Sequence, residues 1–164
     1  MRLKNHTDIP SEWIRSVIRA VCPPGVTGFD VRISNRAGRG TRGRAYSYGS
    51  GYHDRACPFV VVSVARTDAE ARGVLPGGDG YLRMALGNRR ESVVAVLAHE
   101  LRHLWQGKVK RGRRVWGARG QFSERDADAY ALHMLRLFRR GQLLKTDGRH
   151  AAAETPEMIK TGER

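Results

Sequence analysis

Cysteine is scarce in this chain of 164 residues, and that scarcity narrows the kind of domain the sequence can form. The two cysteines, Cys22 and Cys57, lack the C-x-x-C spacing of zinc ribbons and redox motifs. Two thiols also cannot build the disulfide framework of a small secreted domain. We therefore expect both to be reduced side chains packed within a globular fold.

Long apolar runs are missing as well. No uninterrupted apolar stretch reaches about 18 residues, the length that a membrane-spanning helix requires. The first ten residues, MRLKNHTDIP, contain no apolar segment of the kind that signal peptides carry. We therefore expect a soluble, cytoplasmic protein with no membrane partner. Its 40% of hydrophobic residues is enough for one globular core.

Acidic residues are the third shortage. The chain has 16 Asp and Glu against 30 Lys and Arg, which gives a formal net charge of +14. A surface of this sign attracts polyanions, such as nucleic acid, without specifying which one. Two interpretations stay open: the charge contacts nucleic acid, or it reflects solubility or a genomic bias toward arginine.

The spacing of apolar residues predicts both helices and strands in a single domain. Asn88 with Glu91, and Ser123 with Asp126, have the spacing of helix-capping pairs. Helices are predicted over residues 8–21, 88–106 and 122–140, and strands over 29–34, 45–49, 58–66 and 81–86. We assign residues 1–141 to the domain and 142–164 to a flexible C-terminal tail.

The segment LAHELRHLWQ, residues 97–106, contains the motif that decides the functional interpretation. At about 100° per residue, His99 and His103 lie roughly 40° apart on one helix face, so both imidazoles can reach one metal ion. Glu100 projects about 100° from His99, where a carboxylate can accept a proton from metal-bound water. The other interpretation is a buried helix whose polar residues turn to solvent. The apolar run VVAVLA before the motif favours the metal site, because buried histidines and carboxylates are costly unless something satisfies them.

A third ligand is predicted on the following helix. Glu124 and Asp128 are one turn apart and lie within about 40° of each other. Glu124 can complete a set of three protein ligands, and Asp128 can hold the N–H of a ligating histidine and so fix its orientation. Gln106 and Val109 stand where metzincin spacing requires glycine and histidine, so that pattern is excluded. The alternative for Glu124 is a surface residue in a capped first turn.

HELRH followed by ERDADAYA resembles the glutamate-type zincins, or gluzincins. ERDADAYALHML is similar to the pattern of ImmA/IrrE-type peptidases, and HELRHLWQ resembles SprT-like proteins; the resemblance covers about residues 88–140. SprT-like proteins usually take a histidine as third ligand, but His133 is about 180° from Glu124 on the same helix. That departure favours the glutamate type.

The resemblance implies a fold, a cofactor and residue roles. The implied fold is α+β, with a small antiparallel sheet of three or four strands packed on an N-terminal helix and two motif helices. The implied roles are His99, His103 and Glu124 as ligands of Zn²⁺, Glu100 as the catalytic base, and Asp128 as the partner of a ligating histidine.

The sequence therefore predicts a zinc metalloendopeptidase that acts on a protein or peptide, with nucleic acid as a further partner of its basic surface. Candidate oxyanion donors are Tyr46, Tyr48, Tyr81, Tyr130 and Arg119, and residues 81–86 are a candidate strand for binding an extended peptide. Two other hypotheses stay open: a nucleic-acid-binding module with a non-catalytic metal, and an inert helical core with an accidental motif.

Overall fold

The computed structural model describes residues 1–36, 42–46, 57–75, 84–108 and 123–145. In chain order its elements are β1 (Leu3–His6), α1 (Ser11–Val21), β2 (Asp30–Arg36), β3 (Arg42–Tyr46), β4 (Phe59–Ala65), α2 (Asp68–Ala71), β5 (Gly73–Leu75), β6 (Met84–Leu86), α3 (Arg89–Lys108) and α4 (Glu124–Arg139). Every predicted helix and strand overlaps one of these elements, while β1, α2 and β5 lie outside the predicted ranges. The predicted tail lies outside the described residues from position 146 onward.

The predicted α+β class is confirmed, but the predicted strand directions are wrong. Four strands form one sheet in the order β1-β2-β4-β3. β1 and β4 both run parallel to β2, and only β3 runs antiparallel to its neighbour, β4. The sheet is therefore mixed and not antiparallel. β5 and β6 form a separate antiparallel pair.

Strand β1 explains one part of this difference, the parallel pairing of β1 with β2. Parallel neighbours need a crossover connection, and α1 provides one between β1 and β2. The sequence of β1, LKNH, has one apolar residue, and its side chains alternate between half-buried and exposed. An edge strand this short and polar shows almost no alternation of apolar and polar residues. Because β1 cannot be recognised in the sequence, the β1–α1–β2 unit cannot be recognised either.

The hydrophobic core lies between one face of the sheet and the helices α1 and α3. The strands contribute Val31, Ile33, Val60, Val62 and Val64, and the helices contribute Ile14, Val17, Ile18, Val21, Val93, Val94, Leu97 and Leu101. Helix α4 packs on α3 and adds Ala131, Met134 and Leu135 to the same core. None of the helices in the described ranges is long and apolar enough to span a membrane.

Side-chain caps fix the starts of α3 and α4, as the sequence predicted. The side-chain oxygen Oδ1 of Asn88 accepts a hydrogen bond from the Glu91 N–H at 2.9 Å, and the Ser123 hydroxyl accepts one from the Asp126 N–H at 3.2 Å. Helix α3 continues through Lys108, two residues beyond the predicted end. Helix α4 ends as predicted, with Gly141 in the left-handed region at φ 67°.

Two bidentate ion pairs join α3 to α4, one near each end of the contact. The guanidinium of Arg102 donates to both carboxylate oxygens of Asp126, at 2.6 and 2.9 Å. At the other end, Arg139 donates to both carboxylate oxygens of Glu91, at 3.0 and 2.6 Å. Planar bidentate contacts of this kind restrict orientation as well as distance, so they hold the antiparallel helix pair in register.

Between these ion pairs the helix contact is made by small residues. Ala127 and Ala131 are fully buried on the face of α4 that also carries Asp128.

We expect Ala131→Leu to lower the free energy of unfolding by about 1–3 kcal/mol, because the added atoms have no space between the helices. Urea unfolding measures this change. The control is Arg136→Leu on the exposed side of α4, which should change stability by no more than about 0.5 kcal/mol. Equal effects of the two substitutions would contradict tight packing at Ala131.

Candidate metal centre

The two histidines of the motif lie on α3 with their imidazole rings in contact. His99 and His103 are one helical turn apart, and their Nε2 atoms are 3.0 Å from each other. The rings stand nearly perpendicular, at 84°. Both side chains are largely buried, with 19% and 12% exposed. Both Nε2 atoms therefore point at one place at the side of α3.

Glu124 reaches the same place from α4. It is the first residue of that helix, directly after the capping Ser123. Its two carboxylate oxygens lie 3.2 Å from His99 Nε2 and 3.3 Å from His103 Nε2. The ligand atoms of the three residues all lie within 4.8 Å of one another, so the group could hold a metal ion. About half of the Glu124 side chain is exposed, which leaves the group open to solvent on one side.

Asp128 makes the contact that its spacing predicted. Its side chain is buried, and Oδ1 lies 2.9 Å from His99 Nδ1. A carboxylate can only accept, so His99 carries a proton on Nδ1 in this hydrogen bond, which leaves Nε2 as the nitrogen that can bind a metal once its own proton is lost. The contact therefore sets both the tautomer and the orientation of His99.

Gln106 does the same for His103, and the sequence prediction missed it. This glutamine is completely buried. Its Oε1 lies 2.9 Å from His103 Nδ1 and accepts a second hydrogen bond, from the Ser123 N–H, at 3.1 Å. Its Nε2 donates to the Ser123 carbonyl and to Asp126, both at 2.9 Å. The spacing of three from His103 was the available signal, because such residues are neighbours on a helix surface.

Glu100 lies beside the three-residue group and is not part of it. Its side chain is buried next to β3, where a Cβ added to Gly43 would come within 2.5 Å of Glu100 Cγ. The backbone of Ala45 faces its carboxylate and acts to lower its pKa. Burial raises the pKa of Glu100 above its usual value. Gly43 is therefore required for the close approach of β3 to α3 at this point.

The two histidines share one carboxylate, that of Glu124, and their pKa values depend on this contact. Burial lowers the pKa of His99, but hydrogen bonds with Asp128 and Glu124 outweigh it and raise the pKa to about 10. The pKa of His103 is also raised. Burial lowers it, but the hydrogen bond with Glu124 acts in the opposite direction. The same hydrogen bonds, with His103 and His99, hold the pKa of Glu124 well below its usual value. Protons bridge the carboxylate and the imidazoles, in the place where a cation of higher charge could sit.

No known family matches. Comparisons of the chain with protein-family models, curated proteins and solved structures found no significant similarity. The functional interpretation therefore depends on the geometry of the centre and on the sequence motif.

The other predicted side chains that the structure describes do not belong to this group. The Tyr130 hydroxyl donates to the Val21 carbonyl at 3.1 Å, and Tyr46 stacks on Phe59 with ring centroids 4.3 Å apart. His133 is exposed. Tyr48, Tyr81 and Arg119 lie outside the described residues. The described part of segment 81–86 is β6, which pairs with β5, whereas the strand that packs beside Glu100 is β3.

We expect Gln106→Met to weaken metal binding about 10- to 100-fold, because His103 loses the acceptor that orients it. Methionine has a similar volume, so the core should stay filled while the hydrogen bonds are lost. Titration with Co²⁺, followed by its visible absorption, measures the affinity, and circular dichroism checks the fold. The matched control is Gln142→Met, an exposed glutamine that should bind Co²⁺ as the wild type does. Unchanged affinity in a folded Gln106→Met variant would contradict the positioning role.

Proposed function

We propose that the chain is a zinc-dependent metallopeptidase that hydrolyses peptide bonds in a protein or peptide substrate. The observation that supports this most directly is the convergence of two imidazole nitrogens and one carboxylate on a solvent-open point, with a separate buried carboxylate beside it. Three ligands with a neighbouring base form the arrangement that water activation requires.

The donor set suits zinc. Two histidines with one glutamate form a known catalytic zinc combination, in which the fourth position stays open for water. The half-exposed Glu124 leaves such a position accessible. Structural zinc sites have four protein ligands, often cysteines, and neither Cys22 nor Cys57 belongs to the group. The geometry therefore favours a catalytic ion over a structural one.

In this proposal the residues around the centre divide the chemistry among them. Bound zinc lowers the pKa of water to about 7 and polarises the scissile carbonyl. Glu100 accepts the proton of the attacking water and passes it to the departing amine. Asp128 and Gln106 keep the two histidines oriented through their Nδ1 atoms. Because Glu100 does not ligate, its carboxylate stays available for proton transfer.

Strand β3 is the element best placed to bind an extended substrate. It forms the end of the four-stranded sheet and pairs only with β4 among the described strands. Gly43 and Ala45 of this strand lie against Glu100, so the outer edge of β3 runs beside the centre. A peptide that added to this edge as a further strand would pass the metal and the base together.

Metal content provides the first test. The purified wild-type protein should contain one tightly held zinc ion per chain, and His99→Ala and Glu124→Ala should both lose it, because each removes one of three ligands. Elemental analysis after dialysis measures the content. His133→Ala, on the exposed side of α4, is the matched control and should retain zinc. A wild-type protein without zinc would contradict the proposal and leave the interpretation as an inert helical core.

Glu100→Gln provides the second test. We expect this variant to keep its zinc and to lose at least about 100-fold in hydrolysis of casein, because the amide cannot accept the proton. A chelator should abolish the activity of the wild type. Glu12→Gln, an exposed site on α1, is the control and should stay fully active. A zinc-containing wild type without any hydrolysis would favour the nucleic-acid-binding module with a non-catalytic metal. Full activity of zinc-loaded Glu100→Gln would refute the role of Glu100.

A further inference from the structure

The sheet has a second face, opposite the core, that the proposed function does not use. Side chains alternate between the two faces of a strand. Where Leu3, Ile33 and Val62 turn toward the helices, their neighbours turn outward. The outward residues include five exposed ones with basic side chains: Lys4, His6, Arg32, Arg42 and Arg44. We refer to these five residues, with Val61 and Ser63 between them, as the basic sheet face.

The strand register arranges this face in rows. Lys4 lies opposite Arg32, Arg32 lies opposite Val61, and Val61 lies opposite Arg44, so one row crosses all four strands. The next row contains His6, Ser34, Ser63 and Arg42. Short side chains therefore occupy β4 in the middle, and cations stand on both sides of it. Strands are about 4.8 Å apart, so Arg32 and Arg44 flank a trough about 10 Å wide.

Carboxylates do not neutralise these cations. On the helical side of the molecule, Arg89, Arg102 and Arg139 each form an ion pair with an acidic residue. On the basic sheet face, the only acidic residue within the described strands is Asp30, which accepts a hydrogen bond from the Arg2 N–H. No ion pair to Lys4, Arg32, Arg42 or Arg44 occurs within the described ranges. Among the residues that the structure describes, these four cations therefore stand together on one surface without a carboxylate partner.

We propose that the basic sheet face binds the phosphate backbone of nucleic acid. Three of its cations are arginines, whose planar guanidinium matches phosphate oxygens in bidentate contacts. A trough about 10 Å wide with a floor of short side chains suits a single phosphodiester backbone. The contacts are to phosphate, so the binding is independent of base sequence.

A lipid surface fits this face less well. Peripheral membrane binding combines cations with large apolar side chains that insert below the headgroups. The exposed large apolar residues of the described chain are Met1 and Leu144, and neither lies in a strand. The centre of the trough consists of Val61 and Ser63, which are too short to insert. Phosphate attraction without insertion is what nucleic acid requires.

The basic sheet face and the metal centre share β3. Arg42 and Arg44 point outward, while Gly43 and Ala45 face Glu100 on the other side of the same strand. Nucleic acid bound in the trough would thus lie on the opposite face of the sheet from the metal centre and would not cover it. The inference depends on the sheet alone, so His99→Ala should bind nucleic acid as the wild type does even if the peptidase proposal fails.

The test uses fluorescence anisotropy with a labelled single-stranded oligodeoxynucleotide of about 20 residues and with its duplex, over a range of salt. The variant is Arg32→Gln/Arg44→Gln, in which both substituted side chains are exposed. The matched control is Arg19→Gln/Arg136→Gln, which removes two exposed charges from α1 and α4. We expect the sheet variant to bind at least tenfold more weakly at low salt, and the control to change affinity less than about twofold. The slope of log affinity against log salt should fall by about 1.4 for the single strand, since each lost contact contributes about 0.7.

Two results would overturn the proposal. Equal weakening in the sheet variant and its control would mean that charge acts diffusely, and wild-type affinity in a folded sheet variant would mean that the face does not bind. Vesicles containing phosphatidylserine and a polyglutamate peptide distinguish the nature of the partner. Binding of either probe as tight as that of the oligonucleotide, with the same loss in the sheet variant, would identify a general polyanion surface instead.

Discussion

The buried amide of Gln106 fixes the start of α4 against the end of α3, and the candidate centre depends on that attachment. It accepts from the Ser123 N–H and donates to the Ser123 carbonyl. Glu124 is the next residue after Ser123, so the contact between Gln106 and Ser123 also positions the Glu124 carboxylate beside the histidines. Because the Oε1 atom also holds His103, one amide sets the orientation of one ligand and the position of another. Its loss would leave several buried polar groups without partners, which is costly.

The parts of the centre that lie on one helix could be predicted from the sequence, because a helix has a fixed angular period. That period placed His99 with His103 and Glu124 with Asp128. It could not show how the two helices are held in register, since that is decided by ion pairs between residues far apart in sequence. In the sequence, Gln106 served only to exclude the metzincin pattern, which requires glycine at this position. Its spacing from His103 carried the signal, but its second partner, Ser123, is visible only after folding.

The sheet was less predictable, for two physical reasons. Strand direction depends on connections, and the crossover through α1 is hidden when the polar edge strand β1 is not recognised. The second reason is the close contact of Gly43 with Glu100, which joins residues 57 positions apart. In the sequence Gly43 belongs to a basic segment rich in glycine, where flexibility is the simplest explanation. The structure shows a steric reason for this glycine, because any side chain there would collide with α3.

Direct contacts between protein groups hold α3 on α4, and they bear on the energetics of metal binding. The ion pairs at the two ends of the helix contact, together with the amide of Gln106, restrain the helices that carry the ligand side chains. Binding free energy is then not consumed in ordering the chain, in contrast to small zinc domains whose folding requires the metal. An ion taken up by such a preorganised site would stabilise the protein only by mass action, in proportion to the logarithm of its free concentration. Chelation would then remove the ion and leave the domain folded and ready to be reloaded.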